Sequence, residues 1–164
     1  LAFDDAANRL SIALELGISD PTERVEARLE LGAAYHAGGK SLDALATFRA
    51  AFEEAGTLVD PERLALAAIG YEEACWRPGI SDAGAAELLG EAVEALGEGE
   101  SPLRIRLLAG LARALDFQGD HARADSVLSG TAVNVRRTLS NVLVVESNSR
   151  TFGRLGVLEM PLVT

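Results

Sequence analysis

The stretch of sequence that decides the fold is residues 25–58, which read VEARLELGAAYHAGGKSLDALATFRAAFEEAGTL. Small and large apolar residues recur in it at helical spacing on both sides of a glycine pair. Gly32 and Ala44 are small enough to let two helices approach closely, and Gly39 allows the chain to turn between them. The rings of Tyr35 and Phe48 fill the space beside that contact. The stretch therefore predicts a hairpin of two antiparallel helices.

The second-helix pattern of this hairpin recurs along the chain, with first alanines 38, 41 and 39 residues apart. The recurring triplets are Ala6-Leu10-Ala13, Ala44-Phe48-Ala51, Ala85-Leu89-Ala92 and Ala124-Leu128-Thr131. Residues 25–58 resemble a tetratricopeptide (TPR) repeat, which has a period of about 34 residues, with its early tryptophan replaced by Arg28. The resemblance implies an all-α fold, a right-handed α-α superhelix built as a solenoid of antiparallel helix hairpins.

The helix starts are marked by a capping side chain followed by proline, at Asp20-Pro21, Asp60-Pro61 and Ser101-Pro102, and Ser81-Asp82 opens a further helix. Residues 1–130 are thus expected to form the repeats. The predicted parts are a partial repeat at 1–16 and hairpins at about 21–57, 61–96 and 102–130.

The segment 131–164 differs in composition from the repeats and contains four arginines and two glutamates, a local charge of +2. Because the whole chain has a net charge of −10, the first 130 residues carry −12. Two interpretations stay open: a partial further repeat, or an irregular, non-native tail such as a shifted reading frame produces. Because the chain begins at Leu1 without a methionine, we expect it to be a fragment of a larger protein.

Composition limits the function. A net charge of −10 opposes direct binding to nucleic acid. The longest apolar run, 64–71, is far below the roughly 20 residues of a membrane span. Cys75 is the single cysteine and cannot form an internal disulfide, and no leader sequence opens the chain, so a cytoplasmic protein is expected.

Several fragments imitate catalytic motifs without completing them. Gly39-Lys40-Ser41 resembles the end of a phosphate-binding loop, but it lies in a helix turn with no strand before it. Asp4-Asp5 favours a hydrated helix start over a magnesium motif. His121 and Asp125 supply only two metal ligands, and the adjacent acids Glu53-Glu54 and Glu72-Glu73 indicate hydrated surface. No catalytic residue, cofactor or metal is predicted, and the chain is not expected to be an enzyme.

A resemblance to a narrower group of proteins rests on sequence segments that lie between the repeat motifs. The segments that carry it are GYEEACWRPG at 70–79, Glu87-Leu88-Leu89, Ser101-Pro102-Leu103-Arg104 and LDFQGD at 115–120. They resemble the helical sensor region of large ATP-dependent LuxR-type bacterial transcription regulators and of some nucleotide cyclases. This resemblance implies signal transduction in transcription regulation, with the ATPase or cyclase upstream.

The TPR resemblance also implies that first helices line a concave groove that binds a protein or peptide. Transferring its positions gives the candidate binding residues Leu29, His36, Tyr71, Arg106, Arg113 and Asp116. Tyr71 fits either the interface between repeats or the groove. Arg106 and Arg113 would engage a carboxylate or an acidic peptide. The expected function is a non-catalytic interaction module, bound to a partner or to its own upstream domains; the alternative is a sensor of a small-molecule inducer.

Overall fold

The computed structural model describes residues 2–76, 80, 83–99 and 101–130, and these residues form helices with no strand among them. The helices are α1 (Ala2–Leu16), α2 (Pro21–Ala37), α3 (Ser41–Thr57), α4 (Pro61–Trp76), α5 (Ala83–Leu96), α6 (Pro102–Phe117) and α7 (121–130). The predicted start at Ser81-Asp82 and the segment 131–164 lie outside the described residues.

Each helix packs against the next one in the chain, and α4 also contacts α2 on one side and α6 on the other. Such contacts between alternate helices arise when hairpins stack in a row, because each hairpin covers the apolar face that its neighbour leaves open. The predicted all-α helical solenoid is therefore confirmed.

The helix starts follow from side-chain caps. The Oδ1 of Asp20 accepts a hydrogen bond from the amide of Thr22 at 2.8 Å, and the Oγ of Ser101 accepts one from the amide of Arg104 at 3.1 Å. Asp60 Oδ1 accepts from the amide of Arg63 at 3.0 Å. The proline that follows each cap has no N–H to satisfy, which suits the first helical position. These caps confirm the three Pro-marked starts that the sequence predicts.

Three of the turns between helices share one backbone conformation. Gly39, Val59 and Gly119 have φ of 77°, 54° and 84°, and the residue after each donates its amide to a carbonyl five residues back. Glycine adopts this left-handed conformation freely, whereas a β-branched residue there is strained. Val59 is 85% exposed, so packing does not offset its strain.

The core between the first two hairpins is organised around one ring. Phe48 of α3 is 4% exposed and lies between Gly32 of α2 and Gly70 of α4. A Cβ built on Gly32 would lie 2.8 Å from a ring carbon of Phe48, and one built on Gly70 would lie closer still. The close approach predicted at Gly32 is confirmed, and Gly70 is a second close approach to the same ring.

A candidate binding face on alternate helices

The helices α2, α4 and α6 lie side by side and run in the same direction. Glu26, near the start of α2, forms an ion pair with Arg63 near the start of α4. At the other end, Trp76 closes α4 and contacts Phe117, which closes α6. The surface that these three helices share is called the first-helix face here. Its exposed residues are Glu23, Glu26, Glu30, Ala33, Glu62, Leu66, Glu73, Trp76, Arg106, Ala109, Arg113, Asp116 and Phe117.

One ion pair between an exposed arginine and a buried carboxylate joins α4 to α6. Glu72 is 3% exposed, and its two carboxylate oxygens accept hydrogen bonds from Arg113 Nε at 2.6 Å and Nη2 at 2.5 Å. This two-point geometry suits a carboxylate taken out of water. The hydrogen bond to Glu72 raises the pKa of Arg113 above its ordinary value. The guanidinium of Arg113 also lies over the ring of Trp76, 5.6 Å from its centroid.

The prediction from the sequence that Glu72 belongs to a hydrated surface is wrong. Glu72 lies on the stripe of α4 that also carries Ala65, Ala68 and Cys75, seven, four and three residues away, and all of them are buried. An acid on an apolar stripe requires a cationic partner. That signal was present in the sequence, although the partner, 41 residues further along, was not identifiable from it.

Two more ion pairs cross the first-helix face at its surface. Arg63 contacts Glu26, and Arg106 approaches Glu73 to 3.6 Å. The side chains of Arg106 and Glu73 are 57% and 49% exposed, so water screens this pair strongly. The arginines that the sequence assigns to an acidic ligand thus already contact carboxylates of the neighbouring hairpin.

The other predicted binding residues occupy different environments. Asp116 is exposed, and its Oδ1 lies 2.6 Å from Nδ1 of His121. Leu29 is partly buried against the core, and His36 is partly buried with its Nδ1 lacking a hydrogen-bond partner among the described residues.

Tyr71 belongs to the interface between hairpins. It is 3% exposed, its hydroxyl accepts a hydrogen bond from Arg49 Nη2 at 3.1 Å, and the Arg49 guanidinium lies 5.0 Å from the ring centroid. Of the two positions that the sequence left open for Tyr71, the structure selects the interface between α3 and α4.

Two exposed aromatic side chains lie at one end of the first-helix face. The rings of Trp76 and Phe117 meet edge to face with their centroids 5.5 Å apart, and the two residues are 50% and 47% exposed. A cavity of about 20 Å³ lies behind them, lined by Glu72, Cys75 and Ala114 among others. That volume corresponds to about one water molecule.

The fragments that imitate catalytic motifs sit in ordinary helical surroundings. Lys40, in the turn between α2 and α3, forms an ion pair with Asp4 of α1 at 3.0 Å, which lowers the pKa of Asp4 through a hydrogen bond and the lysine charge. Cys75 is buried. Within residues 2–76, 80, 83–99 and 101–130, no three His, Cys, Asp or Glu side chains are grouped to hold a metal ion.

The comparisons with known proteins support the fold. No family model matches the chain, and no curated protein matches it. A Podosopora anserina protein described as a kinesin light chain, with nearly identical TPR-like repeats, is similar at a TM-score of 0.67 and 23% identity, covering 84% of this chain and 67% of that one. A single-residue variant of that protein gives a TM-score of 0.68 and 22% identity, covering 84% and 69%. This likeness identifies the fold as a TPR-like helical repeat.

In the part of the chain that the structure describes, none of the helices combines the length and the apolar character needed to cross a bilayer.

Proposed function

We propose that this chain is a non-catalytic module that binds a protein or peptide along the first-helix face. The observation that carries the proposal is the composition of this face. It exposes Leu66, Trp76 and Phe117, which are 40%, 50% and 47% accessible, among charged side chains. Partly exposed aromatic side chains with a polar surround are typical of the residues that contribute most to protein interfaces.

The face also carries small side chains. Ala33 of α2 and Ala109 of α6 are exposed and present only a methyl group to solvent. A bound chain therefore meets no long side chain at these two positions.

A matched set of alanine-to-tryptophan substitutions tests the proposal. Twelve-residue peptides are selected from a phage library against the chain, and their affinities are measured by fluorescence anisotropy. We expect Ala33→Trp and Ala109→Trp, which place a large ring on the first-helix face, to weaken the binding of the selected peptides by about tenfold or more. The matched controls are Ala46→Trp and Ala122→Trp, because both alanines are exposed on second helices.

The controls are expected to leave the affinities unchanged. Peptides that bind the Ala33→Trp and Ala109→Trp variants as well as the parent chain, or that lose affinity only with the controls, would place the binding surface elsewhere and refute the proposal.

A small-molecule sensor is the second candidate. A cleft of about 340 Å³ opens between α3, α4 and α5, lined by Gly56, Leu64 and Ala95 among others, and this is within the size range of ligand sites. We propose Gly56→Trp as its test, since Gly56 has space for a side chain toward Leu64. A metabolite that raises the melting temperature of the parent chain but not of this variant would support the sensor.

The wider setting is also a proposal: a cytoplasmic fragment of a LuxR-type regulator or a related signalling protein. It rests on the resemblance of 70–79 and 115–120 to the sensor region of those regulators. Determining the coding sequence upstream of Leu1 tests it, since a nucleotide-binding domain there is expected and further repeats alone would contradict it.

A further inference from the structure

We infer that the partner of the first-helix face is a basic peptide segment that carries one large apolar side chain. The inference rests on the proposed function and specifies its ligand. It is opposite in sign to the acidic ligand that the sequence analysis assigns to Arg106 and Arg113. The structure changes the sign because it shows which charges on this face already have partners.

The first-helix face has an excess of carboxylates. Seven carboxylates lie on it or directly beneath it, against three guanidinium groups, which leaves a net charge of −4. The acids are Glu23, Glu26, Glu30, Glu62, Glu72, Glu73 and Asp116, and the arginines are Arg63, Arg106 and Arg113. Each arginine contacts a carboxylate of the same chain, so an acidic ligand would have to displace an existing partner.

Three of the acids have no such partner. Glu23, Glu30 and Glu62 are exposed, and no basic side chain among the described residues lies within ion-pair distance of them. Glu23 and Glu30 flank Glu26 at helical spacings of three and four residues, which places them on the same side of α2. Glu62 lies one turn before Leu66 on α4. A lysine or arginine of a ligand would therefore meet an available carboxylate on both helices.

The apolar side chain of the ligand has a defined place. The Trp76 and Phe117 rings end the face and are each about half exposed, at 50% and 47%. Arg113 covers part of the Trp76 ring, which leaves the exposed remainder of both rings to an aliphatic or aromatic side chain. The occupant is thus basic toward α2 and apolar toward the ends of α4 and α6.

Charge argues against a second copy of this chain as the occupant. The first 130 residues carry a net charge of −12, and two such surfaces repel each other. A basic segment is attracted by the same field, and its association is expected to be faster at low ionic strength.

The test uses three synthetic twelve-residue peptides on a Gly-Ser background. The first carries four arginines and one leucine, the second replaces the arginines with glutamates, and the third replaces the leucine with serine. Trp76 is the single tryptophan of the chain, so its fluorescence reports binding at the end of the face directly. We expect the first peptide to bind, the second to bind at least about tenfold more weakly, and the third to leave the Trp76 emission unchanged.

A pair of charge-matched variants separates local attraction from net charge. Glu23→Gln, Glu30→Gln and Glu62→Gln together remove the available acids of the face. Glu53→Gln, Glu87→Gln and Glu94→Gln together remove three exposed acids of the second helices. We expect the first triple variant to weaken the arginine peptide about tenfold and the second to change its affinity less than about twofold. Urea unfolding of both variants checks that each remains folded.

Two outcomes overturn the inference. Equal losses in both triple variants would mean that the peptide responds only to the total charge. Preference for the glutamate peptide, blocked by Ala33→Trp and Ala109→Trp, would retain the first-helix face as a binding site while refuting the basic ligand. Failure of the library-selected peptides in the alanine test would instead refute the proposed function itself, so the two failures are distinguishable.

Discussion

Gly70→Ala is the substitution for which the structure makes the sharpest stability prediction. An alanine in the interior of a helix is favoured over glycine by about 1 kcal/mol. At position 70, however, the added methyl group would overlap the ring of Phe48. The ring has little room to move away, because it also lies against Gly32, where a Cβ would be 2.8 Å away.

The magnitude follows from these two opposing effects. Overpacking a core costs about 1–3 kcal/mol, and a ring held on both sides is expected to reach the upper end of that range. Subtracting the helical preference of about 1 kcal/mol leaves a net loss of about 2 kcal/mol. For a chain of this size, that loss lowers the melting temperature by about 4–8 °C.

Gly90→Ala is the matched control, since Gly90 lies inside α5 and an added Cβ meets nothing within 4 Å. It should stabilise the chain by up to about 1 kcal/mol. Urea unfolding followed by circular dichroism at 222 nm measures both variants. Repeating Gly70→Ala in a Phe48→Leu background should remove the overpacking cost and leave a gain of up to about 1 kcal/mol from the helical preference of alanine, because the ring is then missing. An unchanged cost in that background, or a gain by Gly70→Ala in the parent chain equal to that of Gly90→Ala, would refute the reasoning.

Three further predictions concern a strained turn, the ion pair of the buried Glu72 and an acid-sensitive cap. Val59→Gly should raise the stability by about 1 kcal/mol, because glycine adopts the left-handed conformation at φ 54° without strain; a lower urea midpoint would contradict this. Arg113→Met should cost about 2–3 kcal/mol in urea unfolding by leaving Glu72 unpaired, whereas Arg106→Met should cost less than about 0.5 kcal/mol, and equal losses would count against the role of burial. The amide of Arg63 and then its guanidinium hold the pKa of Asp60 below 3.8, so its stabilising effect is present above that pH and is lost as pH falls through the lower folded-state value. Asp60→Asn should therefore flatten the decline of the urea midpoint between about pH 5 and about pH 3, and an unaltered decline would assign the acid sensitivity to other groups.

The fold was predictable because its determinants are local. The glycines of the first hairpin, the alanines of its second helix and the Asp-Pro or Ser-Pro starts each act within a few residues, and a repeat displays them several times. Gly32 beside Phe48 is an example, since the small residue and the ring are only 16 positions apart. The partner of the same ring on the other side, Gly70, lies in the next hairpin and was not assigned that role from the sequence.

The binding face was only partly predictable for the same reason. Helical spacing placed Arg106 and Arg113 on α6 correctly. Whether their positive charges are available to a ligand depends on their ion pairs with Glu73 and Glu72 of another hairpin. Pairing across hairpins requires the relative placement of α4 and α6, which spacing within one helix does not determine. Tyr71 was ambiguous because a shift of one residue rotates a side chain by about 100° around the helix axis, which is enough to separate an interface position from a surface position.

The two joints between hairpins differ in kind, and this affects how freely the hairpins could be rearranged. Where α2 and α3 contact α4, the ring of Phe48 fits against Gly32 and Gly70, so this joint depends on shape. Where α4 contacts α6, Glu72 pairs with Arg113, so this joint depends on charge. A hairpin moved to another position in the row would present a ring to a helix without the glycine, or a carboxylate to a helix without the arginine. The order of the hairpins is thus encoded in the joints, and a design that shuffles or duplicates them has to transfer both halves of each joint together.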